Sequence, residues 1–127
     1  MVSKSAEQGH PIAQNNLARC YEHGIGVEQN YSKTIEWYTK SAKQGFDIAQ
    51  YNLGLFYYQK LKNYSKAVEW FTKAAEQGHS YGQAGLGLCY ENGNGVEQSY
   101  NNAIEWYRKS AEQGNSFAIE RLIKLGK

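Results

Sequence analysis

The residues able to do chemistry in this chain are few. They are Cys20 and Cys89, His10, His23 and His79, and three glutamates, Glu36, Glu69 and Glu105, each followed by a tryptophan (Trp37, Trp70, Trp106). A zinc site needs three or four Cys, His or carboxylate ligands at short spacings. The histidines are scattered, and no cysteine or carboxylate stands at ligand spacing from them. Acid–base chemistry needs two carboxylates converging on one pocket; these glutamates recur at wide, regular intervals, as a solvated row on one face would. Acyl transfer needs a nucleophile, a base and an oxyanion site together, and no Ser–Lys or Ser–His pairing has a workable geometry. Gly24-Ile25-Gly26 and Gly93-Asn94-Gly95 invite comparison with phosphate loops. Such a loop follows a strand and opens its helix with Lys-Ser/Thr or a third glycine, and both are missing. The expectation is no catalytic residue, no metal and no cofactor.

Composition narrows the class further. The chain has 127 residues, 41% apolar and 20% charged, with one proline. That suits one folded domain. The net charge of +2 is too small to recruit nucleic acid or a membrane surface. Mean hydropathy is −0.73, and no apolar run approaches the ~20 residues of a membrane span. Residues 2–16 hold no apolar stretch of the signal-peptide kind. Two unpaired thiols fit a reducing compartment, so a cytoplasmic location is expected. The unusual number is 13 glycines beside one proline.

Those glycines are periodic, and they lead from candidate chemistry to architecture. Ser5-Ala6-Glu7-Gln8-Gly9 recurs as Ser41-Ala42-Lys43-Gln44-Gly45, Ala74-Ala75-Glu76-Gln77-Gly78 and Ser110-Ala111-Glu112-Gln113-Gly114, at steps of 36, 33 and 36 residues. Self-similarity at this period means stacked helical repeats. The spacing predicts repeats at 10–45, 46–78 and 79–114. Residues 1–9 read as the end of a second helix, and 115–127 as a partial repeat carrying a C-terminal helix. Each repeat divides into two helices. The first starts near Pro11, Asp47, Ser80 and Ser116, with an apolar stripe such as Ala13, Leu17, Cys20 and Tyr21. A small residue follows the leucine (Ala18, Gly54, Gly87) and admits a close partner helix. The second helix starts after Asn30, Asn63 and Ser99, all good N-cap types. Its expected buried stripe is Tyr31, Ile35, Tyr38 and Ala42, with Tyr64, Val68, Phe71, Ala75 and Tyr100, Ile104, Tyr107, Ala111 as equivalents. The terminal glycines suit left-handed C-caps. The middle repeat carries Lys60-Leu61-Lys62 in place of the longer glycine loop, which predicts a short turn. Cys20 and Cys89 stand two repeats apart, on the order of 20 Å at ordinary helix spacing, too far for a disulfide.

Taken together, Ala-Gln-x-x-Leu-Gly-x-x-Tyr, Gly-x-Gly-Val and a Tyr-rich helix closing in Ala-x-Gln-Gly resemble the Sel-one-like repeats, relatives of the tetratricopeptide repeats. Ala49 to Tyr58 carries the first helix best, and Gly93 to Gly114 the loop and second helix. The middle repeat departs by lacking the Gly-x-Gly-Val loop, and Thr34 replaces the usual alanine. The resemblance implies an all-α, right-handed solenoid of antiparallel helix pairs acting as a non-catalytic protein-interaction scaffold or adaptor. Two alternatives stand beside it: a structural module of a larger protein, and a hydrolase-like activity on cell-wall or β-lactam substrates, for which the sequence offers no catalytic set. Some relatives bridge cysteines inside each repeat; that spacing is absent.

The first helices carry a second stripe, which in tetratricopeptide-type solenoids lines the concave face. It reads Ile12, Asn15, Arg19, Glu22; then Ile48, Tyr51, Leu55, Tyr58; then Tyr81, Ala84, Leu88, Glu91. The middle one is apolar throughout, and a helix apolar on two faces needs both covered. The expectation is a groove for a peptide or protein partner, built on Ile48, Tyr51, Leu55, Tyr58, Tyr81 and Leu88. Arg19, Glu22, Glu91 and Asn92 would form its rim. The solenoid ends carry no recognisable polar caps, which would allow a weak homodimer.

Overall fold

The computed structural model describes residues 2–127, residue 2 by its backbone alone; Met1 of the first partial repeat lies outside the described residues. The described residues form helices and turns. In order they are α1 (Val2–Glu7), α2 (Pro11–His23), α3 (Tyr31–Lys43), α4 (Asp47–Phe56), α5 (Tyr64–Glu76), α6 (Ser80–Asn92), α7 (Tyr100–Glu112) and α8 (Ser116–Lys124). The starts follow local chemistry. Asn30, Asn63 and Ser99 each accept a hydrogen bond from the backbone N–H three residues on. Proline at the first position of α2 needs no donor there. His79 is an unexpected cap: its Nδ1 accepts from the Gly82 N–H at 3.0 Å.

Two expectations are corrected. The middle repeat does not simply end its first helix in a short turn. α4 continues as a π-helical turn over Tyr57–Leu61 and stops at Lys62, which is left-handed at φ 54. Tyr31 and Tyr100 do not belong to the buried stripe; they are 38% and 53% exposed. As the first residues of α3 and α7 they lie beyond the packed turns. The buried positions are instead Thr34, Tyr38, Ser41 and Ala42 on α3 and Ala103, Tyr107 and Ser110 on α7.

The chain divides into two compact units, Met1–Leu53 and Gly54–Lys127. The first packs α1, α2 and α3 with the start of α4, around Leu17, Ala18, Tyr38, Ala49 and Leu53. The second packs α5 to α8 around Phe56, Phe71, Leu86 and Tyr107. Full burial of an aromatic of this size is worth about 1.5–3 kcal/mol. Two of these rings lie on a glycine: a Cβ on Gly87 would lie 2.7 Å from the Tyr107 ring, and one on Gly54 would lie 2.7 Å from Phe71.

Candidate partner-binding face

The expected groove stripe splits into a half that faces solvent and a half used internally. At its N-terminal end, Ile12 is 62% exposed, Ile48 44% and Tyr81 60%; the equivalent on α8, Phe117, is 43% exposed. Four first helices thus carry a large apolar residue in solvent at the same position. The next positions turn inward: Asn15 and Ala84 are buried and Tyr51 is half-buried. Arg19 is exposed, while Leu55 and Leu88 are half-buried.

The C-terminal end of the stripe is internal. Tyr38 donates its hydroxyl to Glu22 at 2.9 Å, and Tyr107 donates to Glu91 at 2.7 Å. Glu91 does not form the groove rim that its stripe position predicts: it is 8% exposed. Arg121 of α8 also pairs with it through Nε and Nη2. Burial pushes the Glu91 carboxyl up, but Arg121 and the Tyr107 hydroxyl outweigh burial and hold it below the ordinary glutamate value. Desolvation and the neighbouring carboxylates raise both tyrosines far above their usual range. Among the described residues no arginine is bonded to Glu22; the His23 Nε2 lies 3.8 Å from its carboxylate.

The middle repeat solves the same packing problem without charge. Tyr58 occupies the position of Glu22 and Glu91, and Phe71 that of the two tyrosines. Their rings lie 6.3 Å apart, and Tyr58 also meets Tyr64 edge-on at 5.1 Å. The Tyr58 hydroxyl accepts from Asn94 Nδ2 at 2.8 Å. Asn94 belongs to the glycine loop after α6. A Cβ on Gly95 would fall 2.5 Å from the Tyr64 carbonyl oxygen, and its φ is +75°. The loop can therefore lie against α5 only with glycine there. Asn92 is exposed at the end of α6.

The other chemically capable residues are held apart or capped. Cys20 is half-buried and Cys89 fully buried, both as free thiols; burial pushes the Cys89 thiol up to about 12. Glu36, Glu69 and Glu105 are exposed. Each tryptophan carries a lysine three residues on over its ring: Lys40 at 5.1 Å, Lys73 at 5.7 Å and Lys109 at 4.5 Å. An open recess of about 210 Å³ is lined by Asn101, Ile104, Glu105, Arg108 and Lys127. It combines no nucleophile with a base.

The glutamines of the repeat-ending strings are what the sequence reading missed. Gln44 Nε2 donates to the Gly9 carbonyl at 2.9 Å and to Gln14 Oε1 at 2.7 Å, and Gln113 does the same to Gly78 and Gln83. Gln14 and Gln50 in turn donate to the carbonyls of Ala6 and Ala42 on the preceding helix. The signal was visible: glutamine recurs at both positions, and a buried amide needs partners.

Capped helix pairs, glutamine links at fixed register and aromatic rings seated on glycine define a helical repeat protein. The comparisons with known proteins place it more closely. The Sel1 repeat model matches residues 11–46, 47–79 and 80–115, and the chain belongs to the Sel1 repeat family. It is similar to the structure of c5321, a protective antigen of uropathogenic Escherichia coli with an SLR fold. There the TM-score is 0.90 and the identity 41%, over 95% of this chain and 27% of that one. A Sel1 repeat protein from Oxalobacter formigenes matches with TM-score 0.81 and 42% identity, over 87% of this chain and 47% of that one. Helicobacter pylori cysteine rich protein B, at 21% identity and TM-score 0.72 over 95% of this chain and 94% of that one, shares the fold. A putative sel1-like repeat-containing protein of Acanthamoeba polyphaga mimivirus is 36% identical over 62 residues, 49% of this chain and 12% of that protein. The chain thus spans a minor part of several longer relatives. Sel1 repeats are in general protein-interaction scaffolds, typically without catalysis. No helix among the described residues is long and apolar enough to cross a membrane.

Proposed function

We propose that this chain is a non-catalytic scaffold that holds a protein or peptide through the exposed first-helix positions. The observation that carries the reading is the recurrence of a solvated apolar side chain at the second residue of each first helix, Ile12 and Ile48 in one unit and Tyr81 and Phe117 in the other. A single exposed apolar residue is ordinary, but a recurring one marks an interaction surface. In the first unit the binding residues are Ile48 and Tyr51, with Arg19 beside them. In the second they are Leu55, Tyr81 and Leu88, with Asn92; Glu22 and Tyr58 are held in the packing of their own repeats. Glu91 positions α8 and does not touch the partner. Two free thiols support a reducing, cytoplasmic setting.

The test is affinity capture with the wild-type chain, followed by titration of each captured partner against Tyr51→Ala/Leu55→Ala and Ile48→Ser/Tyr81→Ser. Folding is checked by circular dichroism. A loss of tenfold or more in affinity for the folded variants supports the reading. Unchanged affinity removes the face from it, and a chain that captures no partner points to a purely structural module.

A further inference from the structure

Two loops of the chain follow the same backbone course with different chemistry. After α2, Gly24 and Gly26 are left-handed, the Ile25 N–H donates to the Cys20 carbonyl, and the Asn30 N–H donates to Tyr21. After α6, Gly93 and Gly95 are left-handed, the Asn94 N–H donates to the Cys89 carbonyl, and the Ser99 N–H donates to Tyr90. Where the first loop carries His23 and Ile25, the second carries asparagines, and it reads Asn92-Gly93-Asn94-Gly95. Each asparagine precedes a glycine. Asparagine is a thermolabile residue, because the backbone nitrogen that follows it can attack the side-chain amide carbon. Glycine, without a Cβ, leaves that approach open.

The structure separates the two pairs. Asn92 is the last residue of α6, and the Gly93 N–H is occupied, donating to the Cys89 carbonyl as the cap of that helix. The Gly95 N–H makes no hydrogen bond among the described residues, and Gly95 is exposed. The second pair is held at the other reacting group. Asn94 is half-buried, and its Nδ2 donates to the Tyr58 hydroxyl at 2.8 Å. Tyr58 therefore binds the nitrogen that must leave.

We propose that Asn94 is a site of spontaneous deamidation, faster than Asn92 and restrained by Tyr58. The Gly95 nitrogen gives its proton to base and attacks Asn94 Cγ. The new N–Cγ bond closes a succinimide, the Cγ–Nδ2 bond breaks, and Nδ2 departs as ammonia with a proton from water. Water then opens the ring. Cleavage of the new N–Cγ bond leaves an aspartate, and cleavage of the original peptide bond leaves an isoaspartate whose main chain runs through Cγ.

The two products act oppositely on the loop. A carboxylate at position 94 can accept from the Tyr58 hydroxyl, as Glu22 and Glu91 accept from Tyr38 and Tyr107. The isoaspartyl main chain is one carbon longer and displaces Gly95. No room exists for that shift toward α5, since even a Cβ on Gly95 would fall 2.5 Å from the Tyr64 carbonyl oxygen. The isoaspartyl loop must lift away.

The test is incubation of the folded chain in mildly alkaline buffer, with peptide mapping by mass spectrometry to follow each asparagine. The urea-unfolded chain gives the reference rate at each site. Relative to that reference, Asn94 should convert faster than Asn92. Tyr58→Phe keeps the ring and frees the amide. It should speed Asn94 about two- to tenfold, the factor one ordinary hydrogen bond corresponds to, and leave Asn92 unchanged. Circular dichroism checks the variant, and the comparison of sites in the wild type stands without it. An Asn94 that stays intact while Asn92 converts overturns the proposal. So does a folded Tyr58→Phe chain in which both sites speed up alike or neither does.

Discussion

The two ends of one helical stripe meet opposite fates. Its N-terminal positions, Ile12, Ile48 and Tyr81, stand in solvent, while its C-terminal positions, Glu22, Tyr58 and Glu91, are drawn into the packing. Periodicity treats the whole stripe as one face. The difference comes from the second helix, whose aromatic ring sits on Gly54 or Gly87 after the leucine in two repeats and in all three reaches the end of the first helix. There its hydroxyl needs an acceptor, and the stripe supplies one. Where the ring is Phe71, with no hydroxyl, the acceptor is replaced by Tyr58. Interior polarity is matched pair by pair, as the cost of an unpartnered buried group demands.

The comparison can be broken most severely at the ring's seat. Gly87→Val forces a Cβ to within 2.7 Å of Tyr107 and should cost about 2–3 kcal/mol in urea unfolding. Tyr107→Phe keeps the ring but leaves Glu91 short of a donor, for about 1–2 kcal/mol. Importing the middle-repeat solution as Glu91→Tyr/Tyr107→Phe should recover part of that loss, with a coupling of about 1 kcal/mol in a double-mutant cycle. Purely additive losses would show that the pairs are not matched.

Arg121→Ala sharpens the contrast between the third repeat and the first, where no arginine among the described residues is bonded to Glu22. The loss at neutral pH should be about 1–2 kcal/mol. Its pH dependence has a definite sign. The folded Glu91 carboxyl lies below its unfolded value, so its stabilisation is complete above the unfolded pKa, about 4.3. It disappears as pH falls through the folded value. Wild type and Arg121→Ala should therefore converge in acid, as urea midpoints across pH would show. The smallest effect is at Lys62, left-handed at φ 54. Lys62→Gly relieves about 1 kcal/mol of backbone strain against about 0.5–1 kcal/mol of glycine entropy, a net gain of no more than about 0.5 kcal/mol in thermal melts.

The fold was legible because its signals are local and repeated. Glycine at the end of each second helix, the caps Asn30, Asn63 and Ser99, and the small residues Gly54 and Gly87 each act on neighbours predictable from one helix. The internal half of the stripe was not legible, because the bonds that draw it inward span 16 residues, from Tyr38 to Glu22 and Tyr107 to Glu91. A carboxylate on an amphipathic helix reads as solvated until its partner is known. One trace was present: glutamate accompanies tyrosine in two repeats, and Tyr58 accompanies Phe71 in the third. The π-helical turn at Tyr57–Leu61 left no comparable trace, since a shorter linker does not show where the missing residues are absorbed.

The central claim is that the outward half of the stripe binds and the inward half only holds the fold. It is tested most directly by titrating one captured partner against Ile48→Ser/Tyr81→Ser while measuring urea stability of the same variant. Tyr81 is 60% and Ile48 44% exposed, so each substitution should change stability by no more than about 1 kcal/mol, while affinity falls at least tenfold. Undiminished affinity in the folded variant would contradict the claim.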